Sequence, residues 1–125
     1  MQKYIARYYP PFLWMGVMFF WSSLSTLPHA PEAMADFILK KSAHLAEYAM
    51  LYLLWQRSLN QSRWHKHKTL LSFVICFLFA LSDEFHQRFV LGRTPRIRDV
   101  GIDMLGVMLM YLWLAWKQRS TKAVE

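Results

Sequence analysis

The 125-residue chain is 55% hydrophobic and 17% aromatic, yet 18% of its residues are charged and its formal net charge is +7. A soluble domain of this length rarely carries so much apolar and aromatic content, and here apolar blocks alternate with short basic or mixed-charge blocks, which is a membrane pattern. The basic residues build no continuous stripe, which argues against nucleic acid as a partner. The single cysteine, Cys76, excludes an intramolecular disulfide and CxxC chemistry, leaving it a lipid-facing or packing role.

Lys3 and Arg7 precede an apolar stretch as they would in a signal peptide, but Pro10 and Pro11 intervene and no small-x-small cleavage site follows. The stretch therefore reads as a retained first span over residues 12–27, starting after the proline pair and ending at Pro28, with Tyr8 and Tyr9 at the membrane interface. The apolar part of the second span, residues 49–55, is too short to cross alone. Extended back to Asp36 it reaches the roughly 20 residues that a bilayer requires, and then carries Lys40, Lys41, His44 and Glu47 in its first half. The third span, residues 69–82, is uniformly apolar and runs into the polar stretch from Asp83 to Arg88. The fourth, residues 100–116, has Asp103 near its start and Trp113 and Trp116 as interface anchors at its end. No repeat, linker or low-complexity tract interrupts the chain. The expected fold is an all-α integral membrane protein, a single domain over residues 1–125: a four-transmembrane-helix bundle with a polar loop between helices 3 and 4.

Lys and Arg accumulate in short cytoplasmic connections. Lys3 and Arg7, then Arg57, Arg63, Lys66 and Lys68, then Lys117, Arg119 and Lys122 all fall on one side of a four-span chain, which places both termini in the cytoplasm. Arg88, Arg93, Arg96 and Arg98 then lie outside, against the rule, and so require acids, lipid phosphates or a substrate to hold them.

With that topology the start of span two, the end of span three and the start of span four share the outer face. Lys41, His44 and Tyr48 stand at i, i+3 and i+7; Asp83 and Gln87 at i, i+4; Asp99, Asp103 and Gly106 at i, i+4 and i+7. Each set occupies one helical face, so three polar stripes can converge. Gly106 allows a neighbouring helix to approach closely beneath them. Ionisable groups in a span cost about 2.5 to 3.5 kcal/mol each at the bilayer centre, so a group of them is usually paired and often functional.

These residues also carry a resemblance. The runs KSAHLAEY and SDEFHQRFVLGRTPRIRDVGIDMLG are similar to the VanZ-like family of small bacterial membrane proteins. Its pattern is a Lys-x-x-His-x-x-x-Tyr helix, then Asp-Glu-x-x-Gln-x-Phe, Gly-Arg, and spaced acids before a glycine. Lys41, His44, Tyr48, Asp83, Glu84, Gln87, Phe89, Gly92, Arg93, Asp99, Asp103 and Gly106 match it, whereas Leu91 stands where the family often has proline and Met110 where a small residue is common. The family takes its name from a protein linked to low-level teicoplanin resistance. The resemblance thus implies a multi-pass protein of the bacterial plasma (inner) membrane with an envelope-facing, antibiotic-resistance-related role.

Three readings of the cluster stand side by side. In the first it is structural, with Arg93, Arg96 and Arg98 pairing with Asp83, Glu84, Asp99 and Asp103, and the protein is a non-catalytic binder of a lipid or protein partner. In the second it recognises, and modifies, an anionic lipid or lipid-linked envelope intermediate. Lys41 and Arg93 then hold phosphate, with Tyr48, Gln87, Asp99 and Asp103 around them, while His44 and Glu84 exchange protons beside Asp83. In the third, His44, Glu47, Asp83 and His86 form two i, i+3 carboxylate–imidazole pairs that hold a metal, against which the nearby arginines count. No cofactor is otherwise expected. Asp99 alone could be a helix N-cap, His65 and His67 belong to a solvated loop, and proton-coupled transport would require an oligomer.

Overall fold

The computed structural model describes residues 1–24 and 32–124. They form α1 (Gln2–Ser23), α2 (Ala33–Asn60), a short 3₁₀ turn (His65–His67), α3 (Lys68–Gln87) and α4 (Ile97–Val124). No strand occurs among them. Two helical segments, His65–Gln87 and Ile97–Val124, are long and apolar enough to cross a bilayer.

The first helix departs from the sequence expectation at its start: Pro10 and Pro11 lie inside α1 and do not precede it. Proline lacks the N–H that would close the bond to the carbonyl four residues back, so Pro11 leaves the Arg7 carbonyl without its helical donor. Ser58 of α2 supplies one, donating its hydroxyl to Arg7 O at 2.7 Å. Tertiary packing thereby lets the helix run through the proline pair. The expected end at Leu27 and Pro28 lies outside the described residues. The other helices exceed the expected apolar spans at one or both ends, because polar flanks continue the same hydrogen-bonded ladder.

Contacts along the chain give an up-down-up-down arrangement. Trp14 Nε1 donates to Glu47 O at 3.0 Å, and Arg7 meets Ser58, so α1 and α2 are antiparallel. Tyr48 packs on Phe79 and Tyr52 on Phe73, which sets α3 antiparallel to α2, and Phe73 on Tyr111 sets α4 antiparallel to α3. Helices α2 and α3 form the central seam, with α1 against one side and α4 against the other; α2 and α4 make the most extensive pairing.

That pairing depends on Gly106. A Cβ at this position would overlap the Leu45 carbonyl and come within 3.1 Å of Leu45 Cα, so the two backbones touch where any larger residue would force them apart.

The hydropathy of the bundle is turned outward. On α3 the buried stripe is Ser72, Cys76, Ala80, Asp83, Glu84 and Gln87, small in the middle and polar at the end, while Leu78 on the opposite face is 57% exposed and Phe85 59%. Cys76 is therefore a packing residue and not a lipid-facing one. Large apolar side chains also cover the outside of α1 and α4, among them Phe12, Phe20, Leu112 and Trp113.

Replacing Gly106 with alanine is expected to lower stability in detergent micelles by about 1–3 kcal/mol through overpacking. Ser58→Ala should cost a similar amount, about 1–3 kcal/mol, by orphaning the Arg7 carbonyl. Gly101, with nothing within 4 Å of a built Cβ, serves as the control, because alanine there should raise stability by up to about 1 kcal/mol from helix propensity. Thermal unfolding of the three variants checks the ordering.

Candidate functional site

The alternating helix directions bring the C-terminal ends of α1 and α3 to the same end of the bundle as the N-terminal halves of α2 and α4. Along the α2–α4 seam two rungs form: the Lys41 ammonium pairs with Asp99, and His44 Nδ1 meets Asp103 Oδ1 at 3.2 Å. The rungs work because Lys41 and His44 share a face at i, i+3 while Asp99 and Asp103 share one at i, i+4. The Leu45–Gly106 approach sits directly below and fixes how near the two faces come. Asp103 is 1% exposed, and the imidazole of His44 is the side chain its Oδ1 meets.

From α3, Gln87 Nε2 donates to Ser22 Oγ of α1 at 3.2 Å and to Asp83 Oδ2 at 3.3 Å. Glu84 faces the loop that follows α3, and its Oε2 accepts the backbone N–H of Arg96 at 3.0 Å. That amide is one of the free donors at the start of α4, so Glu84 caps the helix from outside. Asp99 is accordingly not the N-cap: it stands in the first turn of α4, with its carboxylate turned to Lys41. The loop itself leaves α3 through the Phe89 N–H to His86 O and Val90 N–H to Gln87 O bonds and then turns at Gly92, whose φ of 78° suits glycine, with Arg93 N–H closing on Val90 O.

Four buried atoms at this end take no hydrogen bond among the described residues: Asp83 Oδ1, Glu84 Oε1, Asp103 Oδ2 and the Tyr48 hydroxyl. Each such orphan costs about 1–3 kcal/mol, and native interiors contain few of them. Three more, Arg7 Nε, Trp55 Nε1 and Ser72 Oγ, lie elsewhere in the bundle, but the orphaned carboxylate oxygens are all at this end. His44, Glu47, Asp83 and Asp103 also lie close enough to act on one another electrostatically.

Two hollows open here. One, of about 270 Å³, has an apolar wall of Met18, Trp21, Leu39 and Ala43 and a polar wall of Ser22, Lys40, His44, Glu47, Asp83 and Arg93. The other, of about 330 Å³, is lined by Lys41, Arg93, Arg96 and Arg98 with Gln87, Thr94, Asp99, Phe37 and Ile102. Arg93 borders both, and its guanidinium also reaches Leu24 O at 3.5 Å.

Of the residues singled out in the sequence, Lys41, His44, Asp83, Gln87, Arg93, Asp99 and Asp103 gather around these hollows, Tyr48 and Gly106 lie in the packed seam beneath, and Glu84 holds the loop. The arginine–carboxylate pairing expected on the structural reading does not form: among the described residues the ion pairs are Lys40–Asp36, Lys41–Asp99 and His44–Asp103, and none uses an arginine. Asp99 and Asp103 turn to Lys41 and His44 of α2, which helix packing brings beside them, while Asp83 accepts from Gln87 and Glu84 from the Arg96 amide. The four-residue metal alternative does not assemble either. His86 stacks on Phe19 at 4.2 Å and hydrogen-bonds Ser23 at 2.9 Å, fastening α3 to α1, and no group of three or more His, Cys, Asp or Glu among the described residues could hold an ion.

Sequence reasoning assigned the first span no part in the site, yet it contributes Met18, Trp21 and Ser22. Ser22 and Ser23, two hydroxyls in an otherwise apolar helix, were the available signal. Arg96 and Arg98, grouped with Arg93 in the sequence as arginines that need acids or phosphate, line the basic hollow with it.

Fold and site together define an all-helical protein with apolar side chains outward and ionisable groups buried at one end. A family model described as VanZ/LLP1 matches residues 3–118. The chain belongs to the VanZ/LLP1 family, and with its two bilayer-length helices this points to a membrane protein. No curated protein and no solved structure matches it.

If Glu84 caps α4, then Glu84→Ala should raise amide hydrogen exchange at Arg96 about tenfold or more, the loss of one charged hydrogen bond of about 1.5–3 kcal/mol. Amides in the middle of α3 should keep their protection.

Proposed function

We propose that this protein crosses the bacterial plasma (inner) membrane four times with both termini cytoplasmic, and that its polar end binds an anionic lipid or lipid-linked cell-envelope intermediate at the outer leaflet. The observation that carries the reading is the hollow bordered by Lys41, Arg93, Arg96 and Arg98, whose arginines have no carboxylate partner among the described residues. Guanidinium groups match phosphate oxygens in charge and in bidentate geometry.

The orientation is supported by the basic residues at the other end of the bundle. Lys3, Arg7, Arg57, Arg63, Lys66, Lys68, Lys117, Arg119 and Lys122 belong to helix ends and turns remote from the cluster, and they suit a cytoplasmic face. The Arg93 loop is the exception to the positive-inside rule, and phosphate at the outer leaflet removes the cause for exclusion. A lipid-linked envelope intermediate as occupant is also the link between this site and a glycopeptide (teicoplanin) response.

His44 is the group that exchanges a proton with the bound headgroup. Asp103 holds Nδ1 and so orients the ring, leaving Nε2 as the nitrogen without a protein partner among the described residues. Asp83 and Gln87 shape the wall beside it, and Glu84 keeps the arginine loop in place with one oxygen while retaining a second for proton exchange. The two rungs between α2 and α4 favour a second reading, in which the cluster braces the bundle and binds lipid or a protein partner without chemistry.

Two experiments decide. In a Cys76→Ala background, Leu91→Cys, at a position 86% exposed, should react with a membrane-impermeant maleimide added outside intact spheroplasts; labelling only after lysis would reverse the topology. His44→Asn and Glu84→Gln should each abolish a glycopeptide-sensitivity phenotype at normal membrane accumulation. Loss of the protein itself would favour the bracing role.

A further inference from the structure

Resting on the phosphate reading above, we propose that the occupant is a phosphate ester of a single long hydrocarbon chain, its phosphate in the basic hollow and the first part of its chain in the neighbouring apolar slot. The two hollows differ in chemistry as the two halves of such a molecule do. The basic one gathers Lys41, Arg93, Arg96 and Arg98. The other has one apolar side, Met18, Trp21, Leu39 and Ala43 from α1 and α2, facing a polar side that includes Lys40, His44, Glu47 and Asp83. Arg93 borders both, so a ligand can contact it with its phosphate and continue past it into the slot. A free phosphate or a soluble sugar phosphate would use only the basic side.

The slot also dictates polarity and chain number. Glu47 and Asp83 stand on its wall, and Asp83 Oδ1 is buried without a hydrogen bond among the described residues. In the slot these two acids offset Lys40 and Arg93, whereas in the basic hollow four cations, Lys41, Arg93, Arg96 and Arg98, face one acid, Asp99; the phosphate is thus drawn to the basic hollow while the chain takes the slot. At about 270 Å³ the slot lies just under the roughly 300–1,000 Å³ that drug-sized ligands occupy, which suits a segment of one chain. His44 and Asp83 line the slot and not the basic hollow. Of the bound molecule they therefore meet the part that passes Arg93 into the slot, next to the phosphate.

The test is calorimetric titration of the purified full chain, in a non-ionic detergent, with inorganic phosphate and then monoalkyl phosphates from butyl to dodecyl below their own micelle concentrations. Affinity should rise about fourfold per added methylene, the equivalent of about 0.8 kcal/mol per buried CH₂, and then level off once the slot is full. Partition into the micelle gives a slope of its own, so the decisive comparison is with Ala43→Phe and Leu39→Trp, both at exposed positions on the slot wall. These variants should lose most of the slope, whereas Arg96→Gln with Arg98→Gln should weaken every probe by the same factor, at least tenfold. An equal slope in the native chain and the slot variants would overturn the proposal, as would phosphate binding that does not change with chain length; in both cases the basic hollow would still hold a headgroup. Absence of binding by every probe would overturn the phosphate reading as well.

Discussion

The contact between the Leu45 carbonyl and the bare backbone of Gly106 governs the rest of the molecule. It brings α2 and α4 to a separation that no residue with a Cβ would permit, and at that separation the side chains one and two turns above can pair. Lys41 meets Asp99 and His44 meets Asp103 because the helices run parallel and in register from this point. Parallel helices cannot be joined by a short loop, so α3 must return the chain. Its own stripe of Ser72, Cys76 and Ala80 keeps it close, and so delivers Asp83, Glu84 and Gln87 to the same end.

The outcome is a bundle with apolar flanks and, at one end, buried carboxylates. In water this would be unstable, since exposed Phe, Leu and Trp side chains would gain nothing while buried carboxylates lost their hydration. In a bilayer the apolar exterior is free of that penalty. The polar interior must then be satisfied within the protein, and most of it is. Gln87 serves Ser22 and Asp83 at once, Glu84 takes the amide of Arg96, and Ser58 takes the place of the N–H that Pro11 lacks. Against this economy, the unpartnered oxygens of Asp83, Glu84 and Asp103 are conspicuous, as are Arg93, Arg96 and Arg98, which pair with no carboxylate among the described residues. Acids and arginines that gather at one end without pairing suit a site that must accept a group carrying its own charge.

The loop between α3 and α4 shows how rigid support and recognition are combined. Gly92 reverses the chain, Glu84 fixes the amide at Arg96, and between these two points Arg93 is directed inward while Leu91 is left exposed. Here Leu91 occupies the turn position before Gly92, where type II geometry favours proline. The turn forms without it, because the Arg93 N–H to Val90 bond and the glycine φ already define it.

Several features were legible in the sequence because they are local. The 3.6-residue period alone places Lys41, His44 and Tyr48 on one face, and Asp83 with Gln87 on another, and the pattern of basic clusters orders the helix directions. Gly106 could be recognised as a point of close approach from its place beneath the acids. What the sequence could not state is which groups pair, since partners depend on the rotation and depth of each helix, and these follow from packing across the whole bundle. Asp99 turned to Lys41 and did not cap its own helix; the arginines took no carboxylate among the described residues; α1 passed through Pro10 and Pro11 because a serine on another helix could reach the freed carbonyl. The division of a single polar cluster into a basic hollow and an apolar slot, with Met18, Trp21 and Ser22 drawn from a helix of otherwise unremarked composition, was decided only in three dimensions, where side chains far apart along the chain come within reach of a common ligand.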